Sequence, residues 1–144
     1  MSSFKSITIR ATIKASRDVV WKYLTEPAHV VHWNHASDDW HTTSAENDLQ
    51  IGGKFNYRME ANNGSFGFDF EGVYEQIIKE QLIRYSLADN RKVSIELSGL
   101  GEVTVVTETF DAETENPLEM QQTGWQAILN NLKQYTETTK SGQV

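Results

Sequence analysis

Leu118, Trp125, Ile128, Leu129, Leu132 and Tyr135 recur at helical spacing and mark one apolar face of a single long helix that runs to about Thr138. Its start carries its own signals. Asn116 is a candidate N-cap, Pro117 suits the first helical position, and Glu119 is placed to reach back as in a capping box. At 1.5 Å per residue the helix is on the order of 30 Å long. Gly124 in its middle costs about 1 kcal/mol against Ala, so it is expected to serve close backbone packing or to leave room for something bound. A helix with one apolar face must cover another layer.

That layer reads as strands. Residues 5–13 alternate, with Ile7, Ile9, Ala11 and Ile13 on one side and Ser6, Thr8, Arg10 and Thr12 on the other. Ser16 then caps a short helix through Val20, Tyr23 and Leu24 to about Thr25, and Glu26-Pro27 ends it and opens a second one that stops near Trp33. Strands are expected over Trp40 to Ala45, Lys54 to Glu60, Phe66 to Glu75, Leu82 to Leu87, Lys92 to Leu97 and Glu102 to Phe110, separated by turn-forming clusters such as Asn62-Asn63-Gly64 and Ser98-Gly99-Leu100-Gly101. Phe55, Tyr57 and Met59 share one face, as do Phe66, Phe68 and Phe70. The expected fold is α+β: a curved seven-stranded antiparallel sheet around the C-terminal helix, with two short helices between strands 1 and 2. A sheet curled against one helix leaves a volume between them, and such mouths are common ligand sites.

The chain's 144 residues suit one domain, expected over 1–144 with an ordered core at about 4–139. Twenty acids against thirteen Lys plus Arg give a net charge of -7, which argues against nucleic acid as a partner. With no cysteine there is no disulfide scaffold, thiol nucleophile or sulfur-built zinc site. No apolar run approaches the roughly 20 residues of a membrane span, and MSSFKSITIR lacks the apolar stretch of a secretory leader. A soluble, cytoplasmic protein without integral membrane association is expected.

Several stretches resemble a known family. Ala15-Ser16-Arg17-Asp18-Val19-Val20-Trp21, Leu24-Thr25-Glu26-Pro27 and His32-Trp33 are similar to the opening of the START/Bet-v-1-like (SRPBCC) superfamily, above all its Aha homologue-like branch, named after the activator of heat-shock protein 90 ATPase. Asp48-Leu49-Gln50-Ile51-Gly52-Gly53-Lys54-Phe55, Phe70-Glu71-Gly72-Val73-Tyr74-Glu75 and Gly124-Trp125 with Leu129 and Leu132 continue the resemblance, in order, over nearly the whole chain. It implies a helix-grip fold with a cavity between helix and sheet. Its members include lipid carriers, polyketide cyclases, resistance proteins and co-chaperones. Two departures stand out: Ser16 replaces the usual Pro, and the first strand begins within a few residues of Met1, where the eukaryotic co-chaperones carry a further N-terminal domain.

Binding groups are therefore sought in the cavity. Trp33, Trp40, Phe55, Tyr57, Phe66, Phe68, Phe70 and Trp125 supply apolar area, with Val105, Gly124 and Ile128 beside them, and Tyr57, Gln121 and His35 are the candidate polar groups. They point to a small apolar or aromatic ligand (lipid, polyketide or flavonoid-like), held as by a carrier or sensor. The alternatives are a cyclase or hydrolase using the same cavity, with Asp38 or His35 as its acid or base, and a co-chaperone-like module contacting a protein partner weakly through the acidic stretch Glu108 to Glu119. No catalytic residue is assigned: there is no GxSxG, and Asp69 and Glu71 alternate with Phe68 and Phe70, which puts them on the solvent face. His29, His32, His35 and His41 fall within thirteen residues but lack the spacing of a metal site, and no metal or cofactor is expected.

Overall fold

The alternation over residues 5–13 produces an edge strand, β1 (Ser6–Ile13), whose Ile7, Ile9, Ala11 and Ile13 are buried and whose intervening residues are exposed. The computed structural model describes residues 4–141, with side chains through 139. The ends of the expected 1–144 domain, and the start of the segment read for a leader, lie outside the described residues. After β1 come α1 (Arg17–Thr25), α2 (Pro27–Trp33), β2 (Trp40–Asn47), β3 (Lys54–Ala61), β4 (Gly67–Ile78), β5 (Leu82–Leu87), β6 (Lys92–Ser98), β7 (Thr104–Asp111) and α3 (Leu118–Ser141).

Every strand pair is antiparallel, in the order β1-β7-β6-β5-β4-β3-β2, so a six-strand meander is joined at β7 by the returning β1. This is the helix-grip architecture. Irregularities at Thr42/Ser44 in β2 and Tyr74/Gln76 in β4 break the register, and such bulges bend and twist a sheet. The second also resets the alternation, so that Tyr74 is buried and Ile77, three residues on, packs against the core. Among the described residues no helix is long and apolar enough to cross a membrane.

The long helix lies off-centre. The backbone of α3 approaches β1, α1 and α2 more closely than the central strands. Hydrogen bonds stitch it to the edge: Gln126 Nε2 donates to the Arg10 carbonyl (2.9 Å), Lys133 Nζ to the Thr12 carbonyl (2.6 Å), and the Lys14 N–H to Glu137 Oε2 (2.8 Å). Side chains alone bridge from the helix to the middle of the sheet, and there they leave a void.

Three local expectations are corrected. Pro117 is not the first helical residue but the cap, its carbonyl accepting the N–H of Gln121 (3.2 Å). The capping box is absent, because the Glu113 carboxylate takes both the Asn116 N–H (2.7 Å) and Asn116 Nδ2 (3.2 Å). Gly124 does not serve close backbone packing: a Cβ there would meet nothing within 4 Å. Gly124→Ala is therefore expected to stabilise the protein by up to about 1 kcal/mol through helix propensity alone, read as a higher denaturant midpoint at unchanged slope.

Candidate functional site

Between α3 and the inner face of the sheet lies a cavity of about 300 Å³. Alternation on β3 and β4 supplies Phe55, Tyr57, Met59, Phe70 and Tyr74; β5 and β6 add Ile83, Tyr85 and Ile95; β7 adds Val106 and Glu108. Trp125, Ile128, Leu129 and Leu132 close it from α3, and Leu24, Thr25, Trp33 and Asn34 border it from the short helices. Phe55 is the hub of the aromatic wall, with ring centroids 4.9 Å from Tyr57, 5.7 Å from Phe70, 5.5 Å from Tyr74 and 4.8 Å from Tyr85. Trp125 stacks flat on Phe110 (3.9 Å, 8°) and meets Phe70 edge-on (6.1 Å, 79°).

The wall depends on a glycine. Gly72 lies directly across from Phe55, and a Cβ there would fall 2.4 Å from the Phe55 ring and 3.0 Å from Tyr85. Gly72→Ala must push the Phe55 ring into the cavity. It is expected to cost about 1–3 kcal/mol in a denaturation experiment and to weaken the binding of any cavity ligand.

Polar groups are few and sit at defined places. The Tyr57 and Tyr74 hydroxyls face one another; Tyr74 donates to Asn47 Oδ1 (2.6 Å), and Asn47 Nδ2 donates to the Thr25 carbonyl (2.6 Å). Burial holds Tyr57 and Tyr85 well above the ordinary phenol pKa and pushes Tyr74 up to about 12, so all three are neutral hydrogen-bonding groups. Arg91 also borders the cavity, with Nε on Asp89 Oδ2 at 2.8 Å.

A further polar group on the lining is Glu108. Thr104, Val106, Glu108 and Phe110 alternate onto the inner face of β7, and the cross-strand neighbours of Glu108 are Ile9 on β1 and Ile95 on β6. No hydrogen bond or ion pair reaches its carboxyl from the described residues. Burial pushes its pKa up from 4.5 to about 8. The acidic stretch Glu108 to Glu119 expected from the sequence to meet a partner thus loses its first member to the cavity wall; the parity of Glu108 with Val106 and Phe110 is the signal that it turns inward.

Seven of the residues named from the sequence border the cavity: Trp33, Phe55, Tyr57, Phe68, Phe70, Trp125 and Ile128. Six do not, each for a local reason. Val105 has the opposite parity and pairs with Thr12 and Ser98, which are exposed. Gln121 is buried, but its amide fastens the loop before α3, donating to the Glu113 and Asn116 carbonyls (3.0 and 2.8 Å) and accepting the Glu113 N–H (2.8 Å). Gly124 opens to space. His35 follows α2 and is tied by its backbone carbonyl to Asn131 Nδ2 (2.6 Å). Phe70, Phe68 and Phe66 share a face but walk out of the cavity: Phe70 is partly buried, Phe68 is 42% exposed at the rim, and Phe66 is 63% exposed beyond the strand's start. Trp40 packs edge-on against Phe66 and Phe68 out there (6.0 and 5.8 Å).

The histidines disperse. His29 Nδ1 is 2.7 Å from the Tyr135 hydroxyl, His32 stacks on the Tyr135 ring, and His41 bonds to Asn62. No three His, Asp or Glu among the described residues are grouped to hold a metal. Asp38 is exposed and does not border the cavity; Asp69 and Glu71 are exposed beside Arg58 and Asn56.

A profile of the family described as "Activator of Hsp90 ATPase homolog 1-like protein" matches residues 14–137. Among solved structures, the chain is similar to an AHSA1-like protein from Aeromonas hydrophila, 39% identical over 94% of each chain with a TM-score of 0.88. It is also similar to a protein from Cytophaga hutchinsonii, 47% identical over 96% of each chain with a TM-score of 0.80. At 20% identity it shares the fold of the Aha1 dimer from Colwellia psychrerythraea, over 92% of this chain and 96% of that one, with a TM-score of 0.72. No curated protein matches the sequence.

Proposed function

The chain belongs to the Activator of Hsp90 ATPase homolog 1-like family of the START/Bet-v-1-like superfamily, and from that membership we propose that it binds a compact apolar or aromatic molecule between sheet and α3, as a carrier or sensor. The family and its fold support a ligand-binding or co-chaperone-like domain. The observation that carries the ligand reading is the 300 Å³ void itself, walled by aromatic rings and holding only a few convergent polar groups. Its size narrows the ligand: a cavity of about 150 Å³ holds a benzene, so one or two rings fit where a sterol does not. Affinity comes from desolvating the ligand, at roughly 25 cal/mol per Å² of apolar area before ordering costs. The described residues act as one ligand-binding unit in a cytoplasmic setting, without a cofactor.

The test is an NMR screen on labelled protein with one-ring and two-ring aromatics, fatty acids, flavonoids and sterols. Saturable shifts centred on Phe55, Phe70, Ile95, Val106 and Trp125, from the compact compounds, are the expected result. A folded protein that no compound shifts would overturn the reading.

One observation favours a second reading, an enzyme working in the same cavity. Its acid is not Asp38 or His35, which lie outside, but Glu108, an unpaired carboxyl with a pKa near neutrality. That reading predicts that Glu108→Gln abolishes turnover while ligand affinity is kept. The co-chaperone alternative loses Glu108 from its acidic stretch to the cavity wall, where it is partly buried, leaving the part from Thr109 to Glu119 for a partner.

A further inference from the structure

We propose that the cavity's ligand is an organic cation, an amine on a compact apolar or aromatic body, whose ammonium group is received by Glu108; this rests on the ligand-binding reading above. A carboxyl between Ile9 and Ile95, and in strand alternation with Val106 and Phe110, makes no hydrogen bond or ion pair among the described residues; its electrostatic neighbour on the sheet is the buried, neutral Tyr85 phenol, which brings no counter-charge. An acid without a partner in an apolar enclosure is costly to keep ionised, and a bound cation removes that cost by supplying the missing charge.

The surroundings suit a cation specifically. Aromatic faces carry negative charge density and attract ammonium groups, and Phe55, Tyr85 and Trp125 line the same space. The Tyr57 and Tyr74 hydroxyls are bonded to one another and to Asn47 and all three phenols are neutral, so the carboxyl offers what they lack, a negative charge. The groups facing Glu108 do not supply the counter-charge themselves. Tyr57 on β3, Tyr74 on β4 and Tyr85 on β5 stay neutral; Ile9, Ile95, Trp125 and Leu129 are apolar; and Arg91, the one cation on the lining among the described residues, is paired with Asp89 and forms no ion pair with Glu108.

The binding step has a definite proton balance. The free carboxyl near neutral pH is largely protonated; when the ammonium enters, the carboxyl loses its proton to water and the charged pair remains. Binding therefore releases about one proton per ligand below pH 8 and strengthens as the pH rises from 6 to 8.

The experiment compares 2-phenylethylamine with its neutral counterpart 2-phenylethanol, by calorimetry at pH 7 in phosphate and in Tris, on the wild-type protein and on Glu108→Gln. The expected result is amine binding about ten- to a hundredfold tighter than the alcohol, with buffer-dependent heats that report the released proton. Glu108→Gln is expected to erase both the preference and the proton release while still binding the alcohol. Equal affinities in the wild type, or a preference that survives Glu108→Gln, would overturn the amine assignment while alcohol binding left the cavity reading standing. If neither compound binds although neutral aromatics do in the NMR screen, the amine assignment alone falls; if nothing binds in either experiment, it falls together with the cavity reading.

Discussion

Replacing Glu108 with Gln should raise the unfolding free energy at pH 9 by on the order of 3–5 kcal/mol and change it little at pH 4. The sign follows from the raised pKa. Between 4.5 and about 8 the native protein holds a proton that the unfolded chain has released, so wild-type stability falls as pH rises through that window, by up to about 1.4 kcal/mol per pH unit. Gln has no charge to bury and removes the slope. His29 acts oppositely: burial holds its pKa below the usual imidazole value, so its contribution is lost as pH falls, not as it rises. Tyr57, Tyr74 and Tyr85 titrate above the window. A descending limb between about pH 5 and 8 in urea midpoints of the wild type, levelling above it and absent from Glu108→Gln, is the expected measurement. Parallel profiles would show that the carboxyl is solvated.

Phe55→Ala should cost about 3–5 kcal/mol, a large part of the roughly 5–15 kcal/mol that holds a domain of this kind together. The ring touches four other aromatic rings and fills the notch that Gly72 leaves for it, so its removal exposes several neighbours to a void at once. Phe66→Ala, which deletes the same side chain on the same aromatic face of the sheet, should cost no more than about 0.5 kcal/mol because that residue stands mainly in solvent. A thermal scan of both variants checks the pair, with a Tm loss of roughly 10–17 °C for the first and little change for the second. Equal losses would mean that the exposed aromatic cluster, not the cavity wall, carries the sheet's stability.

Those two phenylalanines also mark how far a sequence can be read. Alternation tells which face of a strand a residue takes, and it identified the inner face of β3 and the full span of β5. It does not tell how far along that face the helix reaches, because that depends on where α3 lies across the sheet. The stitching of α3 to β1 by Gln126, Lys133 and Glu137 sets that position through contacts more than 100 residues apart in sequence. Phe66 and Trp40 were thus on the right face but beyond the cover, and Gln121 was on the right stripe but taken up by the loop before the helix. Glu108 is a different case. Its parity was legible, but charge weighed more than alternation, although a carboxyl between Val106 and Phe110 in a strand pattern points inward as they do.

A small molecule that occupies the space under α3 would be seen by isotope-filtered NOEs from a bound aromatic amine. The expected NOEs run to the methyl groups of Ile83, Ile95, Val106, Ile128, Leu129 and Leu132, which border the cavity from both layers. NOEs confined to Trp40 and the exposed Phe66, both beyond the cavity, would show instead that the molecule binds outside the fold.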